Sequence, residues 1–254
     1  MNMSGNTIFI TGGTSGIGRA LAEQFHQAGN QVIISGRRKA LLQEVTAANP
    51  GMDYVELDVT DPAQIAAVAK DLTARYPKLN AVLNNAGVMP FDDPSQGQFD
   101  DEQLVAMVDT NLLGPARISA AFIEHLKTQP QAYLINNSSV VAFLPLANNA
   151  LYSATKAAVH SYTLSQRFAL RDSSVKVIEI APPWVDTDLI YKSGDPRAMP
   201  LDAFVRETLA GLAEGNIEVL VQSIAPIRDN PGSNEHALIN QFNQSLVDNP
   251  IPLQ

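Results

Sequence analysis

The chain has 254 residues with a net charge of −9, and its 45% hydrophobic content is enough to bury a sizeable core. Its one basic run, Arg37-Arg38-Lys39, is too short for a duplex nucleic-acid footprint, which needs clustered Lys and Arg, although it can hold a single phosphate. The absence of cysteine removes disulfides, thiol nucleophiles and thiolate metal sites, and the four histidines at 26, 125, 160 and 236 lack H-E-x-x-H spacing, so a metal enzyme is not expected.

The opening Met1-Asn2-Met3-Ser4 has no basic start and no long apolar core, so no leader peptide is expected. Nor does any segment approach the roughly 18 apolar residues of a membrane span, which points to a cytoplasmic protein. Short apolar runs at 7–10, 31–35, 54–57, 81–83, 133–135 and 175–180 read as strands buried on both faces, as a parallel sheet requires. Between them the periodicity turns helical. Ile17, Leu21, Phe25 and Ala28 recur at helical spacing until Gly29 stops them. Asp61-Pro62 opens a second helix whose inward face is Ile65, Val68, Ala69 and Leu72. Longer helices are expected over about 102–127 and 150–171. A last strand falls at 217–221, and 222–254, with Pro226, Pro231, Pro250 and Pro252, reads as an irregular tail. Strand and helix alternation implies one α/β domain, a three-layer doubly wound parallel sheet.

The first strand runs into Thr11-Gly12-Gly13-Thr14-Ser15-Gly16-Ile17-Gly18 and then a helix. Glycines let a pyrophosphate approach the backbone, and the helix N-terminus offers free N–H groups and a positive dipole end. This strand–turn–helix context is that of a Rossmann dinucleotide site, although the spacing Gly12, Gly16, Gly18 is not G-x-G-x-x-G. The second strand ends Ser35-Gly36-Arg37-Arg38, without the acidic residue that binds a ribose 2′-hydroxyl. Gly36 leaves room, and the fork of Arg37, with Arg38 beside it, suits a 2′-phosphate, which favours NADP(H) over NAD(H). A solvated basic pair is the alternative.

Tyr152 and Lys156 stand four apart at the start of a predicted helix, on one face. An ammonium near a phenol lowers its pKa, so that the phenol can exchange a proton with a carbonyl oxygen. Ser139, at the end of the preceding strand, can orient that oxygen. Taken alone, a Tyr-x-x-x-Lys pair is also common on solvated helix faces.

Over residues 5–190 the chain resembles the short-chain dehydrogenase/reductase family. Residues 11–18 match its TGxxxGxG, Asn84-Asn85-Ala86-Gly87 its NNAG, Asn111 the asparagine of its central helix, and Ser139 with Tyr152-Ser153-Ala154-Thr155-Lys156 its Ser…Tyr-x-x-x-Lys. The family's usual gap selects Ser139 over Ser138. The resemblance implies Tyr152 as general acid/base and Lys156 lowering its pKa and binding the nicotinamide ribose. Asn111 would support a water linking Lys156 to solvent. It further implies a cofactor lined by Gly12, Thr14, Ser15, Gly16, Ile17, Gly18, Asn85, Ala86 and Gly87, with Asp58-Val59 at the adenine and Pro182, Trp184, Val185 and Thr187 at the carboxamide. Where the family usually has Pro-Gly, this chain has Pro182-Pro183, which removes an N–H. The Pro-Pro-x-Val-Asp-Thr pattern resembles a subgroup labelled DltE-like. Family members are commonly dimers or tetramers through the two long helices, so a homo-oligomer is expected.

Residues expected around the substrate are Met89 to Phe91, Val141 to Leu146, Trp184 and Leu189 to Tyr191, mostly apolar, which fits a lipophilic carbonyl or alcohol. The loop at about 188–200 reads as a lid or an ordinary surface loop. Three activities remain open: an NADPH-dependent carbonyl reductase, the same enzyme run as an alcohol dehydrogenase, and a dinucleotide-binding sensor that performs no chemistry.

Overall fold

Strands buried on both faces need helices above and below, and the chain meets that need with one seven-stranded, all-parallel sheet in the order β3-β2-β1-β4-β5-β6-β7. The strands are β1 (Thr7–Thr11), β2 (Gln31–Gly36), β3 (Asp53–Glu56), β4 (Leu79–Asn84), β5 (Ala132–Asn137), β6 (Val175–Ala181) and β7 (Glu218–Leu220). The structure, a computed structural model, describes residues 1–92, 94–95, 100–190, 192, 194–229 and 234–250, apart from the side chain of His236. Tyr191, Pro231 and Pro252 lie outside the described residues.

Side chains alternate across each strand, so two cores form. On one face Ile8, Ile10, Val32, Ile34, Ile135 and Ile178 pack under α1 (Gly16–Gln27), α2 (Lys39–Ala48) and α7 (Leu201–Glu214). On the other, Phe9, Ile33, Val82, Leu134 and Val177 meet α3 (Pro62–Arg75) and α5 (Gly114–Thr128). The helix starts follow local chemistry. The Asp61 carboxylate accepts from the N–H groups of Ala63 and Gln64 with Pro62 in the first turn, and Ile65, Val68, Ala69 and Leu72 are the buried face of α3. Helix α1 ends before Gly29, whose φ of 86° lies in the left-handed region.

Two expectations need correction, the long helix over 102–127 and the irregular tail. The long helix over 102–127 is interrupted: α4 (Asp101–Val108) passes into α5 through a π-helical turn, Asp109–Leu113, which carries Asn111. Such turns insert a residue into the ladder and re-aim side chains, and they recur at functional sites. The helix expected over 150–171 is α6 (Ala150–Ala169). The supposed irregular tail holds α8 (Ala225–Arg228) and α9 (Glu235–Asp248). The apolar spacing Leu238, Phe242, Leu246 carries the signal for α9, which the prolines on either side obscured.

Candidate active site

The sheet order reverses direction between β1 and β4, and the turns that follow these two strands open one cleft at the carboxyl ends, where ligands bind such sheets. The cavity measures about 1340 Å³, larger than a typical drug-sized pocket and roomy enough for a dinucleotide beside a second small molecule.

At the β1 end the glycines are there for close approach. A Cβ on Gly18 would stand 2.3 Å from both the Asn85 side-chain nitrogen and the Gly12 carbonyl oxygen, and one on Gly12 would stand 2.8 Å from the Ala86 Cα. The two turns are also stitched together. The Thr11 hydroxyl accepts from the N–H groups of Asn85 (3.0 Å) and Ala86 (3.1 Å), and the Asn85 amide donates to the carbonyls of Thr11 and Gly12. Thr11 was not singled out from sequence, because its role is to hold a turn 74 residues away. Ser15, the N-cap of α1, makes no side-chain cap, so the first N–H groups of that helix face the cleft without one. Thr187 covers Gly16 from the opposite wall.

Arg37 and Arg38 both line the cleft and are exposed. Arg38 donates to the hydroxyls of Thr14 (3.3 Å) and Ser15 (3.5 Å), whereas Arg37 makes no hydrogen bond or ion pair among the described residues. Asp58 and Val59 lie along the same wall, with the Asp58 carboxylate turned back onto Thr60.

At the β5 end the chain gathers Ser139, Tyr152 and Lys156 on one wall. Ser139 caps the short 3-10 turn Val140–Ala142 by accepting from Val141, and its hydroxyl donates to the Pro182 carbonyl at 3.4 Å. Lys156 Nζ donates to the Asn137 carbonyl at 2.9 Å and sits 5.7 Å from the centre of the Tyr152 ring. Both side chains are buried, and burial governs both: it pushes the Tyr152 phenol above its ordinary value, with Ser139 pulling it back, and it lowers Lys156 to about 8. The sequence pointed to a phenol acidified by the neighbouring amine; in the folded chain loss of water is the leading cause and acts in the opposite direction.

Asn111 does not line the cleft. It is buried one layer behind, its amide paired both ways with the backbone of Val88 (2.9 and 2.8 Å) and donating to Thr155. The space between Asn111 and Lys156 is one a Cβ on Gly87 would enter, at 3.4 Å from Asn111 Oδ1 and 3.9 Å from Lys156 Nζ. Trp184 also lines the cleft, and its buried Nε1 has no hydrogen-bond partner among the described residues. The uncapped helix start, the gap kept by Gly87 and the unpartnered indole N–H fit an anionic, polar-headed dinucleotide laid along the cleft.

Beyond Tyr152 the walls turn apolar. Met89, Pro90, Val141, Leu144, Leu146, Leu189 and Ile190 contribute, but Phe91 faces outward and Phe143 packs instead against His160. The sequence leaves the tail able to cover the pocket or a neighbouring subunit, and it does line the far wall, through Ile227 and the α9 residues Phe242 and Leu246, which sequence reasoning did not single out. Helix α9 is anchored by Asn243, which accepts from Ala147 N–H and donates to the Pro145 carbonyl. The 188–200 loop is closed at its base, where Val185 pairs with Met199, and Arg197 ties it to the backbone of Asn249 and Pro250.

A parallel sheet with a glycine turn at its switch point and a Ser-Tyr-Lys group at the far end of the same cleft defines the class, and the chain belongs to the short-chain dehydrogenase family of oxidoreductases, whose model matches residues 6–197. Over 251 residues it is 39% identical to the uncharacterised oxidoreductase DltE of Bacillus subtilis (strain 168), covering 96% of this chain and 98% of that one. It is 32% identical over 219 residues to sulfoacetaldehyde reductase 2 of Chromohalobacter salexigens, covering 84% and 86%. Among solved structures, a short-chain dehydrogenase from Burkholderia cenocepacia in complex with NADP superposes with a TM-score of 0.83 at 28% identity, over 95% of this chain and 99% of that one.

Proposed function

We propose that this oxidoreductase prefers NADP(H) and moves a hydride between the nicotinamide and a carbonyl or secondary alcohol carbon of a small, mostly apolar molecule. The observation that carries the reading is the placement of Ser139, Tyr152 and Lys156 on one buried wall, between a glycine turn suited to a pyrophosphate and an apolar chamber. A bound nicotinamide dinucleotide supplies the hydride. The chain holds its pyrophosphate at Gly12 to Gly18 and its adenosine end along Arg37, Arg38, Asp58 and Val59. Asn85 to Gly87 and Pro182 to Thr187 flank the nicotinamide end, where Pro183 has no N–H to offer. Ser139 orients the substrate oxygen by hydrogen bonding, and Tyr152 gives it a proton. Lys156 provides positive charge beside the phenol, and Asn111, through Val88 and Thr155, fixes the backbone around it. Burial raises the Tyr152 phenol above its ordinary value, so at neutral pH it carries the proton that carbonyl reduction consumes.

The reading is tested by following NADPH and NADH oxidation with a panel of apolar aldehydes and ketones. Turnover with NADPH ahead of NADH supports it; tight NADPH binding without turnover across the panel supports the sensor instead. Arg37, without a hydrogen bond or ion pair among the described residues, is the residue to separate the cofactors. A charge-assisted contact to phosphate contributes about 1.5–3 kcal/mol. Arg37→Ala is therefore expected to raise the Kd of NADPH roughly 10- to 100-fold, with NADH affected far less, as read by fluorescence titration. Equal losses for both cofactors would remove Arg37 from the 2′-phosphate.

We further read the protein as a cytoplasmic homo-oligomer. No described helix is long and apolar enough to cross a membrane. Val105 and Leu113 at the α4–α5 helix and Leu164 and Phe168 on α6 are exposed apolar side chains on the two helices expected at the interface. Light scattering coupled to size exclusion is expected to give a dimer or tetramer, and Phe168→Asp to shift it toward monomer. A monomeric parent chain would overturn this part of the reading.

A further inference from the structure

We propose that Glu179 is a positioning residue for the reaction, its single buried carboxylate fixing the strand end that carries Ser139 against the helix that carries Tyr152 and Lys156. The inference rests on the reading of those three residues given above.

Asn84, Asn136, Glu179 and Glu218 are successive register partners across β4, β5, β6 and β7. Register partners share a face of the sheet, here the face that two residues earlier holds Val82, Leu134 and Val177 in the core. The apolar floor therefore ends in a polar row at the carboxyl end of the sheet, and α6 is bonded to that row. Asn136 donates to Thr163 and to Gln166 at 2.9 Å each. Glu179, 0% exposed, accepts from the Ser138 hydroxyl at 2.5 Å, and its two oxygens lie 3.0 and 2.8 Å from His160 Nδ1. His160 follows Tyr152 and Lys156 at spacings of four, on their face of α6.

The chemistry of that position argues against a purely packing role. A buried carboxylate must be paired, and an apolar side chain of similar size serves a core at least as well. What the carboxylate adds is direction. Apolar contact lets a helix slide or roll by fractions of an ångström, whereas hydrogen bonds tolerate little departure from length and angle. On an extended strand end, neighbouring side chains point to opposite sides, so holding Ser138 down onto Glu179 turns Ser139 toward the cleft.

The charges around Glu179 are met within the chain. Glu218 is paired with Arg228 at 2.9 Å, the Arg228 guanidinium lies 4.9 Å from the Phe143 ring, and Phe143 meets His160 edge-on at 5.0 Å. His160, Glu179 and Glu218 have ligand atoms within 4.8 Å of one another, yet a cation there would have to displace Arg228 and Ser138 from oxygens they already occupy.

The test uses the whole enzyme with NADPH and a carbonyl substrate found in the panel. Glu179→Gln keeps the size and one oxygen but loses the charge and one acceptor facing His160. A misplacement near 1 Å costs about 100-fold in rate. The expected result is therefore a fall in kcat of roughly 10- to 100-fold, with the Kd of NADPH and the KM of the carbonyl nearly unchanged. The primary isotope effect with 4-deuterated NADPH should rise as hydride transfer becomes limiting. The double variant Glu179→Gln/His160→Gln is expected to lose no more than the worse single, because the two act as one tether. A Glu179→Gln enzyme with unchanged kcat and isotope effect and only a lower Tm overturns the proposal. Should that variant fail to fold, Ser138→Ala reads the same tether by one bond, and an unchanged kcat there overturns it equally. Tyr152→Phe, assayed alongside, separates the two failures: turnover surviving in it sinks the assignment of the reacting group, whereas its loss beside an active Glu179→Gln sinks the role of Glu179 alone.

Discussion

Tyr152→Phe is expected to lower kcat for carbonyl reduction by about 1000-fold, within the range that a positioned general acid contributes. The Kd of NADPH should change by no more than about twofold, since the hydroxyl sits at the far end of the cleft from Arg37 and the glycine turn. The pH dependence sharpens the test. Burial raises the phenol above its ordinary value, so the acid form persists through neutral and moderately alkaline pH. Reduction, which consumes that proton, should show no loss from Tyr152 until the pH exceeds the ordinary tyrosine range. Oxidation of the matching alcohol needs the phenolate and should climb with pH over the same interval. A reductive rate that falls steeply near neutral pH in the parent but not in Tyr152→Phe would mean that the phenol is acidic, contrary to its surroundings.

Lys156→Met should abolish useful turnover and at the same time stabilise the cofactor-free protein. Lys156 is 5% exposed, donates among the described residues only to the Asn137 carbonyl, and is lowered to about 8 by loss of water. Below about pH 8 both folded and unfolded chains carry the proton, and the cost of burying the charge is borne in full. Between about 8 and the ordinary lysine value of 10.5 the unfolded chain binds a proton that the folded chain has released, so this group makes stability rise with pH. Replacing a buried charge by an apolar side chain contributes roughly 1–4 kcal/mol, or a rise in Tm of about 5 °C for a domain of this size. The advantage should be largest at pH 7 and shrink between pH 8 and 10.5, as thermal unfolding of both proteins across that range would reveal. A difference independent of pH would mean that the lysine is not penalised where it lies. On the proposed reading, the lysine is a stability cost retained where charge beside the phenol would have a use.

The amino-acid order determined much of this protein unaided. Strands buried on both faces leave near-continuous apolar runs, and every strand read from such a run is present, because burial is a local property of the side chains. The glycine turn, the NNAG segment and the Ser…Tyr-x-x-x-Lys group are short motifs with fixed spacing that carry the family resemblance, and the fold brings all three to one cleft. What only tertiary structure decided depends on partners distant in the chain. Thr11 and Asn85 join turns 74 residues apart; Asn111, on the π turn, lies behind the cleft; and α9 lines the apolar end of the cleft although the prolines flanking it and its polar residues resembled a tail. Glu179 looked like an ordinary charge in a strand until the sheet register set it beside Ser138 and His160. The state of the phenol also belongs to the fold. Four residues of spacing put the ammonium near Tyr152, but how much water the surrounding chain excludes shifts both groups away from their ordinary values.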